Sequence, residues 1–135
     1  MFERIDHVGI AVPELDPAVA LYTETFGMGL VHREVLAEHG IDAALLNAGD
    51  SRVELLAPLE PDGAIARFIS SRGGGLHHVA YRVVDIDAAL AELRSRDVEL
   101  IDSTPRRGML SARIAFVDPK AAGGVLTELL EQAPL

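Results

Sequence analysis

An α+β fold is predicted, made of two βαβββ repeats that form a curved, incomplete eight-stranded barrel with one helix outside each half. Two observations predict it. The chain says nearly the same thing twice: Ile5-Asp6-His7-Val8-Gly9-Ile10-Ala11-Val12 returns as Leu76-His77-His78-Val79-Ala80-Tyr81-Arg82-Val83, and His7 falls on His78 at an offset of 71 residues. The same offset carries Leu15 onto Ile86, Asp16 onto Asp87, Val19 onto Leu90 and Tyr22 onto Leu93. Secondly, strand-like alternation and helix-like periodicity follow one another in the same order in both halves.

The first element alternates as a strand, with Val8, Ile10 and Val12 on one face and His7, Gly9 and Ala11 on the other. Asp16-Pro17 predicts a helix start, Asp as N-cap and Pro at the first helical position. Leu15, Val19, Tyr22 and Phe26 then make one apolar stripe, and Gly27 stops the helix. Leu30 to Val35, Ala43 to Asn47 and Arg52 to Leu56 read as strands, with Gly40 and Gly49-Asp50 as turns. Pro58 to Gly63 and Ser70 to Gly75 punctuate the middle, around a short helical turn from Ala64 to Ile69. The second half predicts a strand at 76–83, a helix from about Asp87 to Arg96, and strands near 98–101, 112–117 and 124–130, the last opened by Gly123-Gly124.

A length of 135 residues suits one domain. The expected division is a first repeat over about 1–60, a linker over about 61–75 and a second repeat over about 76–135. Half of such a chain is marginal as an independent fold. A composition of 49% hydrophobic and 24% charged residues is that of a globular protein. The net charge of −9 argues against a nucleic-acid groove, which needs a basic footprint. An anionic substrate would have to meet local positive charge; Arg106, Arg107 and Lys120 are available, although a solvated surface role is the ordinary reading of each. The N-terminus runs directly into a strand pattern without the marks of a signal peptide, and no apolar run approaches bilayer-spanning length. A soluble, cytoplasmic protein with no membrane partner is the expectation.

The chemistry lies in the repeat. A glutamate follows each histidine in a late apolar strand, Glu54 in Val53-Glu54-Leu55-Leu56 and Glu128 in Leu126-Thr127-Glu128-Leu129. A lone strand histidine is ordinarily a hydrogen-bonded structural residue. A carboxylate buried in an apolar strand is costly unless a charge or metal compensates it. Strand alternation turns Val8, Val53, Leu55, Val79, Thr127 and Leu129 toward the helix layer, so His7, Glu54, His78 and Glu128 would share the concave face. Four such residues suit a divalent first-row ion, and with no cysteine in the chain any metal must be held by nitrogen and oxygen. His77 points away from His78 and reads as structural or as a supporting residue; His32 reads as a strand surface residue, and His39 and Glu38 as parts of a polar turn.

These residues resemble the vicinal-oxygen-chelate superfamily of glyoxalases, bleomycin resistance proteins and dioxygenases, and most closely its methylmalonyl-CoA epimerases. The resemblance covers about residues 5 to 131. It is carried by Asp6 to Val12, Glu38-His39-Gly40, Val53 to Leu59, Gly75 to Ala80, Asp118-Pro119-Lys120 and Gly123-Gly124-Val125-Leu126-Thr127-Glu128-Leu129. It implies metal ligation by His7, His78 and Glu128, with Glu54 at a fourth or near-ligand position. It also promotes Glu38, as an acid/base facing the metal across the substrate with Glu128 opposite. The implied cofactor is a divalent metal ion, cobalt first, with manganese, nickel or zinc as alternatives. The implied reaction is epimerisation of (2R)- and (2S)-methylmalonyl-CoA through a metal-stabilised enolate, with an acyl-CoA thioester as partner and a homodimer as assembly. A glyoxalase I-like lyase or isomerase, a metal-dependent dioxygenase and a non-catalytic binding protein share this fold; the Glu-His-Gly turn and the Gly-Gly-Val-Leu ending favour the epimerase. Gly108-Met109-Leu110-Ser111 departs from the family's Gly-Ala-His-Gly, in a stretch where the acyl or coenzyme A portion would be contacted.

Overall fold

The computed structural model describes residues 1–134. Among them the chain forms two compact units, His7–His77, and Met1–Asp6 together with His78 onward. Eight strands among the described residues are hydrogen-bonded in the order β2-β3-β4-β1-β5-β8-β7-β6. The first strand, β1 (Phe2–Ala11), gives its opening residues to one unit and its closing residues to the other.

In the unit His7–His77, β1 leads into the helix α1 (Leu15–Ala20) and a π-turn at Leu21–Thr25. The strands β2 (Gly29–Leu36), β3 (Ile41–Ala48) and β4 (Ser51–Pro58) follow. Strand β4 runs antiparallel to β3 and parallel to β1, with Gly9 opposite Glu54. The helix starts two residues earlier than Asp16-Pro17 predicts. Glu14 is the N-cap and makes no side-chain capping bond, because the Asp16 carboxylate is drawn instead to Arg33 Nη1 at 2.6 Å. Leu15, Val19 and Tyr22 pack on Ala44, Leu46, Leu55 and Ala57 as the apolar stripe requires. Phe26 does not, and stands 58% exposed. The π-turn explains this: Phe26 N–H bonds back to Leu21 O rather than four residues back, so the widened turn rotates Phe26 off the stripe and brings Met28 into the cluster.

The middle segment is more than a link. It carries a full helix, α2 (Ala64–Arg72), three residues longer than predicted and closed by Gly73 in the left-handed region. Ile65, Phe68 and Ile69 of α2 pack with Ala11 and Leu56. Ala11 and Leu56 lie on the strand faces that carry His7 and Glu54, whereas α1 covers the opposite face. Gly74 then turns the chain at φ +97°, with its α-carbon so close to the Ala11 carbonyl that a β-carbon would stand 2.9 Å from that oxygen.

The second unit contains most of β5 (Gly75–Val83), then α3 (Ile86–Ser95), β6 (Arg106–Arg107), β7 (Arg113–Val117) and β8 (Thr127–Glu131). Asp85 caps α3 by accepting from Ala88 N–H. Ile86, Ala89 and Leu90 pack on Val83, Ala115 and Leu129 to form this unit's core. The strand expected near 98–101 is absent. Helix α3 ends with Asp97 in the left-handed region and Val98 N–H bonded back to Leu93 O, and the chain then makes a single bridge, Leu100 to Val117. Strand β7 pairs with β8 on one side and with the two-residue β6 on the other. Gly123 and Gly124 do not open the last strand; both take positive φ in the turn before it, and β8 begins at Thr127.

Candidate functional site

Each unit holds one buried imidazole–carboxylate pair. His7 on β1 and Glu54 on β4 meet in the first, with His7 Nε2 3.7 Å from Glu54 Oε1. His78 on β5 and Glu128 on β8 meet in the second, at 3.1 Å between Nε2 and Oε1. All four residues are buried. The strand pattern puts them there. Val53 and Leu55 flank Glu54 and pack on the α1 side, which turns the carboxylate to the opposite face. Leu129, next to Glu128, packs under α3 and does the same for the second pair.

The surroundings of the two pairs differ. On the first, Ala11, Leu56 and Ile65 make an apolar wall supplied partly by α2. On the second, Phe116 of β7 is the cross-strand partner of Glu128, and its ring meets the His78 ring edge to face at 5.7 Å. Burial of two carboxylates among apolar side chains costs several kcal/mol per charge unless a cation compensates it, roughly on the scale of a buried ion pair's desolvation.

Glu38 is exposed, on the 3-10 turn Ala37–His39 that joins β2 to β3. Gly40 closes that turn in the left-handed region, and Leu59 N–H bonds Gly40 O, which ties the turn to the end of β4. His77 points away from His78 as alternation requires, and its ring packs edge-on to Phe68 of α2 at 4.9 Å. His32 pairs with Glu34 along β2 at 3.0 Å. Lys120 is exposed on a short turn.

Two arrangements were not legible in the sequence. The buried Asp6, one residue before His7, accepts from Arg82 Nη2 at 2.7 Å and Nε at 3.2 Å. Arg106 is exposed, as expected, but it also pairs with Asp102, with Nε 3.1 Å from Oδ1 and Nη2 3.2 Å from Oδ2, and lies over the Phe116 ring at 5.7 Å. Asp6 and Arg82 are 76 residues apart and meet only through strand packing, whereas Asp102 and Arg106 are four residues apart in a segment that forms no helix, so helical periodicity does not mark the pair. The Arg33 guanidinium, donating to Asp42 and Asp16, and the Arg113 guanidinium, donating to Asp87, are held above the ordinary arginine value.

Paired βαβββ units, each with a buried His–Glu pair, define a class of protein. The family model for the Glyoxalase/Bleomycin resistance protein/Dioxygenase superfamily matches residues 6–116. Human mitochondrial methylmalonyl-CoA epimerase is 37% identical over 131 residues, covering 96% of this chain and 74% of that one. Methylmalonyl-CoA epimerase from Mycobacterium tuberculosis is 46% identical, with a TM-score of 0.94 over 98% of this chain and 90% of that one. A methylmalonyl-CoA epimerase solved in complex with methylmalonyl-CoA and ammonium is 39% identical, with a TM-score of 0.95 over 98% of this chain and 96% of that one. The chain belongs to the methylmalonyl-CoA epimerase family of this superfamily. The α+β fold expected from the internal repeat is the fold of these structures.

Proposed function

We propose that this protein interconverts (2R)- and (2S)-methylmalonyl-CoA by moving the proton at C2. The observation that carries the reading is a buried imidazole–carboxylate pair in each βαβββ unit, in a chain related along nearly its whole length to epimerases of this thioester. Supporting it, a related epimerase was solved with methylmalonyl-CoA bound.

The donor set fits a divalent ion. His7, Glu54 and His78 are buried nitrogen and oxygen donors of the kind that hold a metal, and Glu128 is equally buried beside His78. In each pair the histidine Nε2 faces a carboxylate oxygen, so the groups a cation would compensate are already gathered. We assign all four as ligands, of cobalt in preference to manganese, nickel or zinc. Such an ion, when bound, supplies a Lewis acid that stabilises negative charge developing on a substrate oxygen.

The remaining work belongs to the chain's own side chains. Glu38 and Glu128 flank C2 from opposite sides in this reading. One carboxylate takes the C2 proton, and the electron pair of the C–H bond moves onto the thioester carbonyl to give the enolate. The other carboxylate returns a proton to the opposite face of C2, which inverts the centre. Holding C2 between two carboxylates also supplies the orientation term. Ala11, Leu56 and Ile65 cluster farther along the strand faces that carry His7 and Glu54, and the burial of that pair provides the low dielectric in which charge stabilisation is stronger. The two units would work as a single domain, in a cytoplasmic homodimer that engages neither nucleic acid nor membrane. No helix among the described residues is long and apolar enough to cross a bilayer.

The test is NMR of (2R)-methylmalonyl-CoA in heavy water with metal-loaded protein, beside a chelator-treated control. Metal-dependent loss of the C2 proton signal with formation of the other epimer is expected. No exchange with cobalt, manganese, nickel or zinc would overturn the reading.

A further inference from the structure

We infer that Asp102 is a positioning residue for the His78–Glu128 pair: by accepting the Phe116 N–H it holds the Phe116 ring against the His78 imidazole. This deepens the function proposed above and rests on His78 and Glu128 being metal ligands there. Phe116 of β7 lies opposite Glu128 of β8. Its own N–H and C=O turn to the other edge of β7. The carbonyl accepts Ile101 N–H at 2.9 Å and Asp102 N–H at 3.2 Å, and the N–H donates to Asp102 Oδ2 at 2.9 Å. Phe116 and Glu128 therefore form a non-hydrogen-bonded pair, the kind in which opposed side chains stand closest. Strand β6 is the neighbour on that edge, but its ladder covers Arg113 and Ile114 and ends before Phe116. The Asp102 carboxylate supplies the acceptor that the backbone of a longer β6 would have offered.

The effect reaches the pair through one ring. Phe116 stands edge to face with His78, with 5.7 Å between centroids and 89° between planes, and His78 Nε2 lies 3.1 Å from Glu128 Oε1. The last torsion of a histidine side chain is broad, so packing decides where its nitrogens point. A Phe116 ring held in place limits that rotation and keeps Nε2 on Glu128. The Asp102 side chain is suited to the task, being only 13% exposed, with Arg106 compensating its charge through Nε at 3.1 Å and Nη2 at 3.2 Å. The same guanidinium lies over the Phe116 ring, 5.7 Å from its centre. Asp102 thus meets Phe116 directly at the backbone and indirectly at the ring, and the direct bond is the one that sets the position.

The experiment compares wild type, Asp102→Ala, Asp102→Asn, Arg106→Gln and Phe116→Leu. Each is titrated with cobalt and zinc, and the His78 ring protons are followed by NMR in the metal-free protein, with circular dichroism to check the fold. Asp102→Ala takes the acceptor from Phe116 N–H, and metal affinity should fall about tenfold to a hundredfold, the usual loss when a group supporting a metal ligand is removed. Its His78 proton shifts should move from the wild-type values toward those of Phe116→Leu, which lacks the aromatic ring current. Phe116→Leu should lose affinity to the same degree; it keeps the bond to Asp102, so it tests the ring contact even where Asp102→Ala does not fold. Asp102→Asn, which keeps an oxygen acceptor, and Arg106→Gln, which keeps Asp102, should stay close to wild type. Unchanged affinity or unchanged His78 shifts in Asp102→Ala would overturn the inference, as would wild-type affinity in Phe116→Leu. An Arg106→Gln loss equal to that of Asp102→Ala would also overturn it, because the contact would then run through the arginine. Failure of the proposed metal site reads differently, as wild type that binds neither ion while the His78 shifts still respond to Asp102→Ala.

Discussion

Stripping and restoring metal is the perturbation that tests the two buried pairs most directly. His7, Glu54, His78 and Glu128 are all buried, and each histidine Nε2 faces a carboxylate oxygen, at 3.7 Å in one pair and 3.1 Å in the other. A ligand that binds only the folded state stabilises it by RT ln(1 + [L]/Kd), about 2.7 kcal/mol at one hundred times Kd. Unfolding entropy of about 2.1 cal/mol/K per residue comes to about 280 cal/mol/K for a chain of 135 residues. The expected rise in Tm is the quotient, about 10 °C. The assay is thermal unfolding by circular dichroism of chelator-treated protein titrated with cobalt, manganese, nickel and zinc. His7→Ala and His78→Ala should each abolish most of the metal-induced rise, whatever they do to the metal-free Tm. A Tm unmoved by any of the four ions would refute the metal assignment. A rise that survives His78→Ala but not His7→Ala would refute a shared site and leave metal at the first pair alone.

The remaining tests separate chemistry from architecture. Glu38→Gln, on an exposed turn, should keep the metal-induced Tm rise while lowering turnover by about 10²- to 10⁴-fold, the usual share of a general base; normal epimerisation would remove Glu38 from the mechanism. Gly74→Ala should destabilise by more than about 2 kcal/mol in urea unfolding, because a β-carbon would stand 2.9 Å from the Ala11 carbonyl oxygen at φ +97°, and backbone yields less than a side chain. Asp97→Gly should do the reverse: Asp97 occupies the left-handed position after α3 at φ 60°, where glycine is preferred, and a gain of about 1 kcal/mol is expected by the same measurement.

The two buried pairs were legible because they rest on patterns the chain repeats. Strand alternation alone turned Glu54 and Glu128 away from Leu55 and Leu129, and the structure pairs each glutamate with the histidine of its own repeat. Glu38 carried no such signal; only the resemblance of Glu38-His39-Gly40 to a family motif singled it out. The errors fell where periodicity is a poor guide. The π-turn at Leu21–Thr25 broke the phase that put Phe26 on the apolar stripe. The pull of Arg33 on Asp16 displaced the expected cap. The apolar run near 98–101 reads as a strand, yet the turn at Asp97 leaves it only one bridge to β7.

What the sequence by itself determined is therefore local and periodic: the two βαβββ repeats, the faces of their strands, and the residue types offered for chemistry. Such features follow from backbone geometry within a few residues, so they survive translation from text to fold. Tertiary structure alone decided which distant groups meet. It laid α2 over the Ala11–Leu56 face, joined Asp6 to Arg82, and ran His78, Glu128, Phe116 and Arg106 across four strands. Those contacts depend on strand order and register. Many sequences of the same pattern could satisfy them differently, so no local periodicity records which one the packing selects.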